Sequence, residues 1–468
     1  MSNFSGAELS HRKRLDRAVT IAEAMAASPG ATLPQMFANP YDLKATYEFF
    51  RHPEVTPDNL QSGHRERVLL EMEKPGRYLL LEDTSEIRCA SDQEIEGLGP
   101  IGSSKGQIGF HLHSLLAVSW SAKLETEAPR RPIVKVLGLV DQQYYVRQIR
   151  SKADNPYASL RRILPAEELE SSLWENASKR LGMALENEEV VWIKVCDRAA
   201  DIYDHIQVCR QHRHHFVIRA CQDRTLVGSD GKVASKLFET VRGPASLGQL
   251  KLELRARPGQ AARTACLQVS ITPVRLRAPQ IAGHSPGGRE PIACSVVRVW
   301  EPHPPAGVEA LEWILLTDLE VETFEQASEV IQMYATRWLE EEFHKALKTG
   351  MGAERLQLTT AHAWFAAVAM MSVTALRLID LRESVRQRPT APAEAAGLSE
   401  LELDVLRART GKPLLTVGEV ALAIGRLGGH LNRKSDGLPG WITLWRGWQI
   451  LQTLVEGVLI ARKLTNSG

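Results

Sequence analysis

Val190-Val191-Trp192-Ile193-Lys194-Val195-Cys196-Asp197 is the stretch that decides the fold. It is a short run of β-branched and apolar residues that stops at an acid, the pattern of a strand buried on both faces. Tyr78-Leu79-Leu80-Leu81-Glu82-Asp83 follows the same plan. If the two strands are neighbours, Asp83 and Asp197 project from one sheet edge. Two unpaired carboxylates about 4 Å apart repel by roughly 4 kcal/mol at an effective dielectric near 20. A divalent cation removes that conflict, and hard oxygen donors favour Mg²⁺, with Mn²⁺ able to substitute. Two such ions about 4 Å apart can activate a water or hydroxyl and stabilise the leaving oxygen in phosphoryl transfer.

A third carboxylate comes from Ile331-Gln-Met-Tyr-Ala-Thr-Arg-Trp-Leu-Glu-Glu-Glu-Phe-His-Lys-Ala-Leu-Lys348. At about 100° per residue, Tyr334, Arg337, Glu341 and Lys348 fall within roughly 60° on a regular helix. Ala335, Leu339, Phe343 and Ala346 fall on the opposite, buried side. Glu340 and Glu342 point roughly 100° to either side of Glu341. Arg337 and Lys348 can then hold phosphates, the guanidinium in bidentate fashion. A salt-bridged surface helix is the plainer alternative.

Outward from these segments the pattern is mixed α/β. Residues 1–73 read as a helical domain with an early basic cluster, His11-Arg-Lys-Arg14 and Arg17, and with Thr56-Pro57 as an N-cap and first helical position. Residues 74–380 read as the catalytic sheet and its helices. They contain an antiparallel β insertion at about 222–310 and a core strand at Trp313-Ile-Leu-Leu-Thr317. Residues 381–468 read as an Arg-, Pro- and Ala-rich linker to Gly397 and then a helical tail. Thr416-Val-Gly-Glu419 is a capping box there.

The chain has 468 residues, 44% hydrophobic and 24% charged, with a net charge of +1. That is globular composition for two to four domains, and any nucleic-acid binding must be local. The six cysteines form no CxxC pair, and no basic-then-apolar leader opens the chain, so a reducing cytoplasm is expected. The apolar run Ala363–Leu376 reads as a buried helix rather than a membrane span. Asp201 is either an acid supporting Asp197 or a solvated helix position. His111 and His113 share a strand face and read as structural, His212–His215 as a loop before a strand, and Ser103-Ser104-Lys105-Gly106 as a polar loop.

Three motifs carry a resemblance: Leu81-Glu-Asp83-Thr-Ser; Val195-Cys-Asp197-Arg-Ala-Ala-Asp201; and Tyr334-x-x-Arg337-Trp-x-x-Glu341-Glu-Phe-His-Lys-Ala-x-Lys348-Thr-Gly. Together they resemble the bacterial cut-and-paste DDE transposases of the insertion-sequence-four, Tn-five type, with their Y-R-E-K signature. Thr46-Tyr-Glu-Phe-Phe-Arg-His-Pro53 is similar to that family's N-terminal DNA-binding domain. Ile424-Gly-Arg-Leu-Gly-Gly429 and the Trp441–Trp448 region are similar to its C-terminal dimerisation region.

The resemblance implies a ribonuclease-H-like core with Asp83, Asp197 and Glu341 as catalytic metal ligands for Mg²⁺ or Mn²⁺. It assigns Tyr334, Arg337, Lys348, Lys345 and Arg219 to DNA near the cleaved end, Trp313 to stacking on a flipped base, and Arg14 and Arg17 to the transposon end. It implies a homodimer holding two transposon ends and joining them to target DNA, with no membrane, in a bacterial cytoplasm. The N-terminus is shorter than in the relatives and the linker lacks their lysine-rich run, so the strength of end binding does not carry over. The competing readings are a transposase-derived DNA-binding regulator or inhibitor, a nuclease without strand transfer, and a scaffold protein.

Overall fold

The protein is described here from a computed structural model covering residues 4–89, 95–102, 106–122, 132–147, 169–254, 262–279, 290–433 and 436–466. The expected polar loop at Ser103, Ser104 and Lys105 lies outside these residues. Four helices open the chain: α1 (Arg12–Ala27), α2 (Leu33–Met36), α3 (Pro40–Arg51) and α4 (Pro57–Met72). Their ends follow local chemistry. Asn39 caps α3, and the Thr56 hydroxyl accepts the Asn59 N–H at 3.2 Å, with Pro57 at the first position of α4.

A twelve-stranded mixed sheet follows. Its first half contains β1 (Gly76–Arg88), β2 (Gly99–Pro100), β3 (Ile108–Ser121), β4 (Ile133–Tyr145), β5 (Val190–Cys196) and β6 (His215–Arg219), with α5 (Leu173–Leu181) and α6 (Tyr203–Gln211) between strands. β1 pairs antiparallel with β3, β3 with β4, and β1 and β5 and then β5 and β6 run parallel. The second half is antiparallel: β7 (Thr225–Val227), β8 (Val233–Lys236), β9 (Gly248–Leu254), β10 (Arg263–Leu276), β11 (Ile292–Trp300) and β12 (Glu312–Thr317), with α7 (Leu237–Arg242). The inserted strands belong to the same sheet, because β12 pairs with β11 on one side and β6 on the other.

The sheet is covered on both faces, as its apolar runs require. Leu79, Leu81, Ile193 and Val195 pack in one cluster with Val330, Leu339, Phe343 and Trp364. Those partners come from α8 (Phe324–Thr336), α9 (Trp338–Lys345) and α10 (Ala361–Gln387). On the other face Tyr78, Leu80 and Trp192 meet α5, and Cys196, Phe216 and Ile218 meet Ile206 and Cys209 of α6. α10 has the length and apolarity of a membrane span, yet most of it is buried in this core. The chain ends in α11 (Glu400–Thr410), α12 (Val417–Leu427) and α13 (Trp441–Asn466). The Thr416–Glu419 capping box opens α12. Gly428 and Gly447 let α12 and α13 touch backbone to backbone: a Cβ on Gly447 would stand 1.8 Å from the Ile424 carbonyl oxygen.

Four expectations are corrected. Asp83 does not end its strand, since β1 continues to Arg88 against β3. Acids sit mid-strand there because each has a cationic partner: Lys194 for Glu82 and Arg337 for Asp83. The expected linker after Leu381 is still helix as far as Gln387, where Arg382 pairs with Glu342 and Arg386 with Glu383. The segment around Tyr334 is not one regular helix. It is interrupted at Arg337, between α8 and α9, and widened to a π-turn over Ala346–Gly350. Both features reset the angular count. Consequently Ala335 is exposed while Tyr334 is buried, the reverse of the regular-helix arithmetic.

Candidate active site

The register of β1 and β5 builds the site. Seven consecutive parallel pairs run from Gly76 opposite Val190 to Glu82 opposite Cys196. The next step along both chains is Asp83 and Asp197. Because side chains alternate across a strand, Asp83 lies on the face of Leu79 and Leu81, towards α9. Burial, then repulsion from Asp197, pushes the Asp83 carboxyl up to about 6, with Arg337 opposing. Asp197 sits just past β5, and its carboxylate accepts the Ala199 N–H at 2.8 Å as a helix cap.

Arg337 joins the pair to the helix. Its Nη1 donates to Asp83 Oδ2 at 3.0 Å, and its Nη2 donates to Glu341 Oε1. Burial disfavours the Arg337 charge, but Asp83, Tyr334 and Glu341 more than reverse this and hold its pKa above the ordinary value. A guanidinium therefore stands between two of the three carboxylates, where a cation is electrostatically required. Glu341 keeps its side chain 63% exposed. The structure thus brings Asp83, Arg337 and Glu341 into one hydrogen-bonded group, with Asp197 beside it.

Tyr334 adjoins Arg337, and the other expected residues are engaged with partners outside this group. Tyr334 packs edge-on against Trp313, ring centroids 5.2 Å apart. The π-turn carries Lys348 away, to within 3.5 Å of Glu354 Oε1. Lys345 is exposed at the end of α9. Arg219 ends β6 and donates to the Glu312 carbonyl at 3.0 Å. Arg14 is bonded to Glu54 Oε2 at 2.5 Å and Arg17 to Asp42 Oδ1 at 2.9 Å, so each already has an acidic partner. Asp201 is neither solvated nor a support for Asp197. It is buried and clamps the chain after β6, accepting the Cys221 and Gln222 N–H groups at 2.8 Å each and the Arg224 guanidinium at 2.6 Å.

A buried ionic cluster lies directly behind the aspartates. Glu82 Oε2 accepts from Lys194 Nζ at 2.7 Å, and Glu82 Oε1 is 2.9 Å from His113 Nε2. His113 Nδ1 in turn meets the Thr84 hydroxyl at 2.7 Å. Burial pushes the Glu82 carboxyl up, but Lys194 and His113 more than reverse this and bring it to about 2. Among the described residues, Glu82, Cys196 and His205 have donor atoms mutually within 4.8 Å. The Lys194 ammonium already serves as the cation there, so the group needs no metal. Sequence reasoning flagged neither partner, although a lysine inside an apolar strand was the visible signal. It likewise placed Glu340 to one side of the site, and the structure buries that residue completely.

Comparison with known proteins adds two findings at the chain's ends. Residues 1–55 match the family model described as transposase DNA-binding. Residues 405–468 match the model described as transposase Tn5 dimerisation domain. The chain thus carries a DNA-binding match and a dimerisation match of transposase type on either side of the sheet, and neither covers the Asp83 site. Among solved structures, one chain of a piggyBac transposase synaptic complex with hairpin DNA is similar at 9% identity. The alignment covers 96% of this chain and 73% of that one at a TM-score of 0.35, too loose a likeness to carry an argument.

Proposed function

We propose that this protein is a DNA transposase of the DDE type, acting as a homodimer on two transposon ends and a target duplex. The observation that carries the proposal is the juxtaposition of Asp83 and Asp197 by strand register, with Arg337 linking Asp83 to Glu341. The flanking transposase matches support it. The strand order β4-β3-β1-β5-β6, antiparallel and then parallel, supports the ribonuclease-H-like reading of the core.

Asp83, Asp197 and Glu341 would hold Mg²⁺ or Mn²⁺. The donor set fits a hard cation: three carboxylates, one raised to about 6 by burial and its neighbour, with a guanidinium standing in among them. When bound, the ion would activate an attacking oxygen and stabilise a leaving one. The chain's own residues supply the rest. Arg337, released from the carboxylates, has a planar fork suited to a phosphate. Lys345, Lys348 and Arg219 are assigned to backbone phosphates. Trp313, half-buried beside Tyr334, offers a ring for an unstacked base. Arg14 and Arg17 are assigned to the transposon end, exchanging Glu54 and Asp42 for phosphates.

In each chemical step an oxygen nucleophile attacks phosphorus in line and the opposite P–O3′ bond breaks, leaving a 3′-hydroxyl. Water nicks the end. The freed 3′-hydroxyl attacks the other strand to form a hairpin, a second water opens it, and the new 3′-hydroxyls attack target DNA. The test is cleavage of a linear duplex bearing the element's own end, with Mg²⁺, by wild type and Glu341→Ala. Metal-dependent breaks and hairpins from the wild type alone are expected. Binding without cleavage in either protein would indicate a DNA-binding regulator, and hydrolysis without hairpin or joining would indicate a simple nuclease.

A further inference from the structure

The parallel ladder that brings the two aspartates together stops one residue short of Asp83. β1 and β5 pair as far as Glu82 and Cys196. From Asp83 to Arg88, among the described residues, β1 is paired along one edge only, by β3. A strand held on one side opens locally at lower cost than one held on both. The aim of the Asp83 carboxylate therefore depends on what else fastens the residues beside it.

One imidazole fastens both chain neighbours of Asp83. His113 stands opposite Thr84 in the β1–β3 register. Its Nε2 is 2.9 Å from Glu82 Oε1, and its Nδ1 is 2.7 Å from Thr84 Oγ1. A carboxylate only accepts, so Nε2–H donates to Glu82, whereas the Thr84 hydroxyl can serve Nδ1 as donor or acceptor. The ring has no exposed side-chain surface and packs edge-on against Trp174 of α5, ring centroids 4.8 Å apart. Lys194 ties Glu82 in turn to β5 at 2.7 Å. On the other side, the Thr84 backbone N–H donates to Asp83 Oδ1 at 2.8 Å, which leaves Oδ2 towards Arg337 at 3.0 Å. A run of hydrogen bonds thus leads from Lys194 through Glu82 and His113 to Thr84, whose own N–H orients the Asp83 carboxylate.

We propose that His113 and Thr84 are positioning residues for Asp83, fixing the direction in which its carboxylate meets a divalent cation. This rests on the reading of Asp83, Asp197 and Glu341 as metal ligands. Neither residue touches the ion: side chains alternate along β1, so Glu82 and Thr84 lie on the face opposite Asp83. Partners that orient a ligand from outside tune the metal site, and their loss costs about 10–100-fold in affinity or activity. A mere packing contact between β1 and β3 would stabilise the fold and leave the metal affinity of the folded protein unchanged.

The test is titration of the full-length protein with Mn²⁺ in the absence of DNA, free Mn²⁺ being counted by its solution EPR signal. Each variant is also melted in chelator. Thr84→Val exchanges the hydroxyl for a methyl at nearly the same shape and should weaken Mn²⁺ binding about tenfold, with little change in melting temperature. Thr84→Ser, which keeps the hydroxyl, should restore the affinity. His113→Gln should bind Mn²⁺ at least as weakly as Thr84→Val, and the double variant no more weakly than His113→Gln alone, because both act along one path. The threonine pair carries the test should His113→Gln fold poorly. Affinity unchanged in Thr84→Val, or lowered equally in Thr84→Val and Thr84→Ser, overturns the proposal. The broader reading is judged by Asp83→Asn. Binding weakened by Asp83→Asn but not by Thr84→Val sinks this proposal alone, whereas binding indifferent to Asp83→Asn sinks the three-carboxylate site and this proposal with it.

Discussion

Replacing Lys194 by methionine deletes one charge from a pair that has no water to replace it. Both Lys194 and Glu82 are fully buried, with Nζ 2.7 Å from Oε2. Methionine is a flexible apolar residue that fills the space of the lysine stem, so the change is mainly one of charge. Removing one partner of a buried pair costs about 3–5 kcal/mol, because the other charge is left uncompensated. The burial of Glu82 is overcome by Lys194 and His113, which hold its carboxyl at about 2, below an ordinary 4.5. The folded value lies below the unfolded one. The stabilisation is therefore fully present above about pH 4.5 and is lost as pH falls towards 2.

The assay is hydrogen exchange at neutral pH on peptides from β1 and β5. It reads the free energy of this sheet without requiring the whole chain to unfold in two states. Wild type, Lys194→Met, Glu82→Gln and the double variant form a cycle. Lys194→Met should lose about 3–5 kcal/mol of protection, and the double variant should regain most of it. A single variant within about 1 kcal/mol of wild type, or a double variant whose loss equals the sum of the singles, would show that the pair is not what holds these strands.

Three further outcomes are expected. Arg337→Met leaves Asp83 and Glu341 without their shared partner, so its melting temperature in chelator falls and Mg²⁺ raises it by more than in wild type; equal Mg²⁺ shifts would mean that the guanidinium does not stand in for a cation. Trp313 and Tyr334 should couple by about 0.5–1.5 kcal/mol in a double-mutant cycle followed by thermal unfolding, and strictly additive losses would mean that the ring contact contributes no energy of its own. Gly447→Ala brings a methyl against the Ile424 carbonyl and should cost about 1–3 kcal/mol by overpacking, read as lost helix on heating together with weaker self-association in sedimentation; unchanged behaviour would mean that α12 and α13 separate freely.

The neighbouring of Asp83 and Asp197 was legible because both apolar runs place an acid at their ends, and neighbouring buried strands bring those acids together. The extent of β1 was not legible. An acid reads as a terminus unless its neutralising partner is known, and Lys194 lies 112 positions from Glu82 in sequence. Helical arithmetic joined Arg337 to Glu341, four residues apart, where little angular error accumulates. It failed for Lys348, inside the π-turn, whose ammonium lies against Glu354. Glu340 escaped notice because a carboxylate beside a site reads as solvated, and only packing reveals that its side of the helix faces inwards. The helix beyond Leu381 was obscured by its charges, which are matched by partners on α9 and on α10 itself.

The seven-pair register between β1 and β5 has a consequence for how the site can fail. Sites carried on loops lose their geometry by local fraying, at a small fraction of a protein's total stability. Here a one-residue slip would turn Asp83 to the opposite face together with every apolar residue of its strand. The carboxylate pair cannot drift apart by degrees; it is present while the sheet is present. Heat or denaturant should therefore separate Asp83 from Asp197 only in the transition that melts β1 and β5.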